Sequence, residues 1–463
     1  MENNAVSSKT DVLEDLFQRS KIVELLELME DIPEVEVCEF LISKPDIEVL
    51  NFLELLAPED RGRIFDSFEV DYQLRYFRVL DKEAAANIFE NMSSEIRADL
   101  YQELEANEQI ELLPFLIKKV REDVISLSSY LPDTAGGIMS TDFATVLATM
   151  TVEEAIEKVR SDAPSKKMVY YVYVVDKRMC LVGVLTLKEL VLASPKESIG
   201  DLIQEFLVYA DVNEDQESVA QKVDKYGLLA IPVVNGIQQL VGIVTHDDAI
   251  DVIVAEQTED MEKFMGIVPS EDELTYLSTS TITHFKKRVF WLVALAAVGL
   301  ISGFIIHHFK DTLESLIILA IYMPMMASTG GNTGSQAATV VIRAFALDEV
   351  SDGIWYKVIW KEAKISCLLA LAIAAFTFIK IFFFTHSNVV PTDFPLIMIA
   401  MLISLAIGLQ IVTSSIIGAG LPVLVRKFGG DPAVAASPAI ATIVDITGLL
   451  IYFTVASTAL GVN

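Results

Sequence analysis

Cysteine is scarce in this 463-residue chain: the three present, Cys38, Cys180 and Cys367, lie far apart with no histidine nearby. That spacing argues against a disulfide framework and against a zinc site, and it fits a reducing, cytosolic environment. Basic residues are also in deficit, 35 Lys and Arg against 65 Asp and Glu. No nucleic acid is therefore expected as a partner of the acidic front of the chain. The opening residues, MENNAVSSKTD, lack both a basic start and an apolar stretch. A cleavable signal peptide is not expected, and membrane insertion falls to later segments.

What is present is unevenly distributed. After Thr281 stand nine acids and eleven Lys or Arg, which leaves 56 acids and 24 bases in front, a net charge of −32 before that point and +2 behind it. An acidic soluble portion is thus joined to a nearly neutral apolar one, and the length implies more than one domain. Self-repulsion of that size opposes compaction unless counter-cations screen or bridge the carboxylates, for which divalent cations are suited. A merely solvated acidic surface accounts for the same composition.

From about residue 11 to 130, apolar residues recur every three or four positions, as in LEDLFQRSKIVELLELMED, which predicts helix without strands. Pro33, Pro45 and Pro58 cut the run into helices of about ten to fifteen residues, expected to stack as a superhelix serving as scaffold or sensor. An internal repeat follows. Tyr173-Val174-Val175 with LVGVLT at 181–186 returns as Pro232-Val233-Val234 with LVGIVT at 240–245, each copy preceded by an amphipathic helix near 152–159 or 217–223. Each unit reads helix, strand, turn, strand, helix, with Asp176-Lys177-Arg178 and Asn235-Gly236 at the turns.

This repeat resembles a tandem pair of CBS domains, which in some families bind adenosine nucleotides such as ATP. The nucleotide pattern of that family is Gly-x-x-Thr/Ser-x-x-Asp, matched in the second copy by Gly242, Thr245 and Asp248. The first copy ends in Glu189 instead. From His246 to about Leu277 the chain is helical and acidic, and it leads into Lys286-Lys287-Arg288 and the first apolar span.

Residues 289–306 form 18 apolar or small residues, the minimum for crossing about 30 Å of hydrocarbon. Four more spans are expected near 313–342, 362–385, 394–425 and 433–460. Basic residues cluster before the first span, before the third (Lys357, Lys361, Lys364) and between the fourth and fifth (Arg426, Lys427). This places the N-terminus in the cytoplasm and the C-terminus outside, as a multi-pass protein of the inner (plasma) membrane. The boundaries drawn are 1–130 for an acidic helical N domain, 131–200 and 201–255 for the two repeat copies, 256–284 for a connecting (plug) helix, and 285–463 for a five-helix transmembrane pore domain.

Asp445 is a lone carboxylate in an otherwise apolar span. At bilayer depth it costs about 2.5–3.5 kcal/mol, so it should face a water-filled cavity or a partner. Thr442 and Thr447 are the local candidates for such a partner. The second span carries GGNTGSQ at 330–336, whose amides cannot face lipid. Close helix packing explains its glycines but not Asn332 and Gln336, whereas a polar pore wall explains both. One carboxylate with amide and carbonyl oxygens is a hard ligand set suited to Mg²⁺, Ca²⁺ or Mn²⁺. The spans hold no His/Glu cluster and no activated Ser or Cys, so an enzyme is not expected.

With these segments in order, the chain resembles the MgtE family of magnesium channels, in GGNTGSQAAT of the second span and DPAVAASPAIATIVDITGLLIY of the fifth. The resemblance implies a homodimer in the lipid bilayer with a pore between subunits. It implies Mg²⁺ as substrate and regulator, Asp445 of each subunit as pore ligand with Asn332 and Ala441 nearby, and closure when cytosolic Mg²⁺ is plentiful. It further implies a sensor in which Mg²⁺ bridges Asp215, Glu217, Asp248, Asp251, Glu256, Glu259, Asp260 and Asp431. At Gly227, where the family can have an acid, this chain has none, and Glu95 and Asp99 are the acids available in the helical N domain. Two other readings compete: an ion-coupled divalent-cation exchanger, and a membrane-anchored nucleotide sensor without transport.

Overall fold

The computed structural model describes residues 32, 34–163, 168–203, 208–269, 276–277, 279–347, 349–350, 354–385 and 395–461. The helical reading of LEDLFQRSKIVELLELMED, the break at Pro33 and the opening segment lie outside the described residues. The chain divides into two compact units, Met1–Ala255 and Glu256–Asn463.

In the first unit, eight helices run between Glu34 and Leu127. They are seven to ten residues long, shorter than the expected ten to fifteen. Proline marks only some of their ends. Leu80 and Leu104 turn the chain with extended backbone, and the acid that follows caps the next helix: Asp81 accepts from Ala84 N, and Glu105 forms a capping box with Glu108. Their apolar faces meet in one core around the fully buried Phe65, Tyr76 and Phe89. Glu95 is buried and accepts from Ser94 Oγ (3.1 Å), so it is not a surface acid, while Asp99 is exposed.

Each repeat copy contains one strand more than the sequence suggested. In the first, β1 (Phe143–Leu147) pairs parallel with β2 (Met168–Val175) across helix α1 (Val152–Asp162), and β3 (Leu181–Thr186) returns antiparallel. In the second, β4 (Ala210–Asp211), helix α2 (Gln216–Tyr226), β5 (Ala230–Val234) and β6 (Leu240–Thr245) repeat the arrangement. The copies join through a core containing Tyr173, Val175, Ala230, Leu240 and Ile243. The helical domain attaches by Ala98 and Leu127, which sit in the core of the second copy, and by Asp123, which accepts from Thr141 Oγ1 at 3.0 Å. Helix α3 (His246–Phe264) follows directly on β6.

The second unit is helical: α4 (Thr281–His308), α5 (Ile318–Ala346), α6 (Trp355–Phe384), α7 (Leu396–Lys427) and α8 (Ser437–Leu460), besides the short helix Lys310–Ser315 and the 3-10 turn Pro432–Val434. All but α5 are long and apolar enough to cross a membrane. At 29 residues α5 matches them in length, but its polar patch keeps it below that apolar standard. The small residues of the patch are used for packing: α5 lies against α7 and α8 and buries Gly330, Thr333, Gly334 and Ala337. The helix α4, by contrast, buries almost nothing within the chain, and half of α7 is buried.

Candidate functional site

The glycines of α5 are there for close approach. A Cβ on Gly334 would press on Ile440 (3.1 Å) and Val444 (3.2 Å) of α8, and one on Gly418 of α7 would overlap the Gly334 carbonyl. A Cβ on Gly331 would lie 3.7 Å from that of Ala441, in ordinary contact. Small residues thus let α5, α7 and α8 meet backbone to backbone. The threonines of α5 satisfy themselves locally, with Thr329 and Thr333 donating to the carbonyls of Met325 and Thr329 at 2.7 and 2.8 Å. Asn332 and Gln336 remain exposed on the chain.

Asp445 lies half-buried on α8, one turn beyond Ala441. Its two candidate partners are otherwise engaged: Thr442 Oγ1 donates to Pro438 O (2.9 Å), and Thr447 Oγ1 to the carbonyls of Ile443 and Val444 (both 3.1 Å). Among the described residues Asp445 has no side-chain hydrogen bond or ion pair. The structure therefore sets Gly331 of α5 against Ala441 of α8, one turn before Asp445, and leaves that carboxylate with no hydrogen bond or ion pair among the described residues. A second acid on an apolar helix, Glu362 of α6, differs: it is buried and receives a long hydrogen bond from Ser415 (3.5 Å).

The expected sensor acids fall into several settings. Asp215 caps α2, accepting from Glu217 N (3.1 Å) and Ser218 N (3.4 Å), and Glu217 accepts from Gln221 (3.0 Å). Gly227 closes the same helix with a left-handed backbone, φ 60°, which favours glycine over an acid. Asp251 is exposed on α3. Glu256, Glu259 and Asp260 of α3 are drawn together with Asp431, which precedes α8. Burial, then the charge of Asp431, push the Asp260 pKa up to about 6, with Glu256 and Glu259 adding and Lys263 opposing.

Lys263, which the sequence reading missed, bridges Glu259 (2.8 Å) and Asp431 (2.9 Å). Burial works against its charge, but those two carboxylates outweigh burial and raise its pKa. The next residue, Phe264, packs against the cluster of Ala338, Ile440 and Val444. Among the described residues no three His, Cys, Asp or Glu side chains form a ready-made metal site.

The nucleotide pattern has a local explanation. Thr245 is 1% exposed, and its hydroxyl donates to Asp248 (2.5 Å) and also to Asp247 at the head of α3. Thr186 and Glu189 make the matching capping box in the first copy (2.9 Å). Gly242 is fixed by packing, since a Cβ there would overlap Met139.

A helical domain, a tandem repeat of the CBS kind and a helical part with four candidate membrane spans among the described residues are the organisation expected of a membrane transporter that carries a CBS pair. Family models agree: MgtE, "Divalent cation transporter", matches residues 323–455. The MgtE intracellular N domain matches 32–133, and CBS domains match 135–196 and 199–255. The magnesium transporter MgtE of Thermus thermophilus is 33% identical over 87% of this chain and 93% of its own length. That of Bacillus subtilis is 31% identical over 88% and 87%. The crystal structure of the soluble part of a magnesium transporter superposes with a TM-score of 0.52 at 30% identity, covering 54% of this chain and 99% of that one. The chain belongs to the MgtE family of magnesium transporters.

Proposed function

We propose that this protein is a passive Mg²⁺ channel, open between two copies of the chain and closed by Mg²⁺ on its cytosolic face. The observation that carries the reading is the unpaired Asp445 carboxylate at the α5/α8 seam, whose candidate threonine partners are spent on backbone carbonyls. An uncompensated carboxylate in an apolar helix calls for a mobile cation or water. Mg²⁺ sheds its waters reluctantly, so one carboxylate per subunit beside the Asn332 amide and the Ala441 backbone suffices to hold a hydrated ion. A divalent ion entering a negative interior gains about 4.6 kcal/mol per 100 mV, so no coupled counter-ion is needed.

In this reading all five long helices span the membrane, with the N-terminus cytoplasmic and the C-terminus outside, and the domain boundaries are those drawn above. Asp215, Glu217, Asp248, Asp251, Glu256, Glu259, Asp260 and Asp431 serve as regulatory acids. Closing is favoured when Mg²⁺ neutralises them, because bound ion then shifts the equilibrium toward the state in which they lie together. The contact of Phe264 with Ile440 and Val444 supplies a route from these acids to the turn that carries Asp445. ATP is kept as the ligand proposed for Gly242, Thr245 and Asp248, whose hydroxyl and carboxylate meet at the head of α3.

The test is current through the protein reconstituted in proteoliposomes under a clamped potential. A channel gives current that reverses with the Mg²⁺ gradient and falls as cytosolic Mg²⁺ rises through the millimolar range. Flux that needs a counter-ion would establish the exchanger instead, and no flux the sensor.

A further inference from the structure

Gln410 is a lone amide in the middle of α7, only 1% exposed. Its Nε2 donates to the Val444 carbonyl at 2.8 Å, the residue before Asp445. Two glycines make room for it. A Cβ on Gly448 would overlap the amide group, with Oε1 at 2.8 Å, and one on Gly330 would meet Nε2 at 2.5 Å. The amide therefore sits where the Gly330 turn of α5, the middle of α7 and the Val444–Gly448 turn of α8 converge. Its Oε1 has no hydrogen-bond partner among the described residues.

A buried amide satisfied at one end only is a poor stabilising device, and an apolar side chain of the same size would fill the space at lower cost. What an amide supplies that Met cannot is direction, one donor fixed on one carbonyl. We infer that Gln410 is a positioning residue of the conduction site, holding the Asp445-bearing turn of α8 in register with the Gly330–Asn332 turn of α5. The inference rests on the reading of Asp445 as the pore ligand. Gln410 does not touch the ion in this account; it sets the separation and rotation of the groups that do.

The experiment compares full-length wild type with Gln410→Met, Gly448→Ala and Asp445→Asn in proteoliposomes. Initial Mg²⁺ uptake is measured against Mg²⁺ concentration, the preference for Mg²⁺ over Ca²⁺ is measured in parallel, and each variant is melted. For Gln410→Met the expected result is a melting temperature equal to or above wild type. Its half-saturating Mg²⁺ is expected to rise about fivefold, with a comparable loss of ion preference and a maximal rate within about twofold. Gly448→Ala, which must displace the amide, should reproduce the change in preference.

Wild-type half-saturation and preference in Gln410→Met overturn the inference. So does a fall in maximal rate that merely tracks a lower melting temperature, since that is the mark of a structural residue. Full uptake by Asp445→Asn overturns the pore reading itself and this inference with it. Lost uptake in Asp445→Asn beside an unaltered Gln410→Met removes the Gln410 assignment alone.

Discussion

Two groups of carboxylates in the second unit are treated in opposite ways. At the end of α3, Glu259 and Asp431 share the ammonium of Lys263, and the pKa of Asp260 beside them is pushed up to about 6 by burial and by its acidic neighbours. On α8, Asp445 has no hydrogen bond or ion pair from any described residue. A cluster that carries its own cation can close without metal and is poised to be tightened by one, which suits a switch. A carboxylate left without a counter-charge in an apolar helix has to be served by something that comes and goes, which suits a pathway.

This contrast can be tested by removing each side of it. The largest effect is expected from deleting residues 1–255, the whole first unit: Mg²⁺ flux should persist but lose nearly all inhibition by cytosolic Mg²⁺ in a reconstituted uptake assay. Inhibition that survives would place the sensor entirely within the second unit.

Lys263→Met comes next. Each partly exposed ion pair contributes about 0.2–1 kcal/mol. Flux in chelator should therefore rise about two- to fivefold, while flux at saturating cytosolic Mg²⁺ stays low. An unchanged chelated flux would show that the ammonium does not hold the junction.

Asp260 gives a pH dependence of smaller size. Its folded pKa, about 6, lies above the ordinary 3.8, so its charged form opposes the closed junction above pH 6. That opposition fades as the pH falls through 6 toward 3.8, because the folded state then binds the extra proton. In chelator, flux should decline as pH drops from about 7.5 to 5.5, and Asp260→Asn should flatten that part of the profile. The smallest effect belongs to Thr442→Val. Because its hydroxyl serves Pro438 and not Asp445, Mg²⁺ uptake should stay within about twofold of wild type; a large loss would mean the threonine supports the carboxylate after all.

Much of this was legible in the sequence because it is written in local patterns. Helical periodicity, the twice-told LVGVLT and LVGIVT, and an acid in an apolar run need only neighbours to be seen. The first strands of the two repeats were not seen. One has five residues and the other two, and their partners lie beyond an intervening helix, with no turn signal to join them.

The short helices of the N domain were drawn too long because only some end at proline. Others end at leucines such as Leu80 and Leu104, and only the capping acids that follow betray the break. The Thr and Asp of the Gly-x-x-Thr-x-x-Asp pattern also meet at the head of a helix, a contact the sequence alone does not show. Lys263 and Asp431 lie 168 residues apart, and nothing local links them. Gln410 did leave a signal, a single amide in a long apolar run, by the same logic that singled out Asp445.

The most direct test of the account is Mg²⁺ uptake by Asp445→Asn in proteoliposomes at matched protein density, with the protein confirmed folded by its melting temperature. Uptake reduced to near the protein-free background is the predicted result, since neutralising the unpaired Asp445 carboxylate removes the ion's proposed resting place. Uptake at the wild-type rate would contradict the central claim and move the pathway away from the seam of α5 and α8.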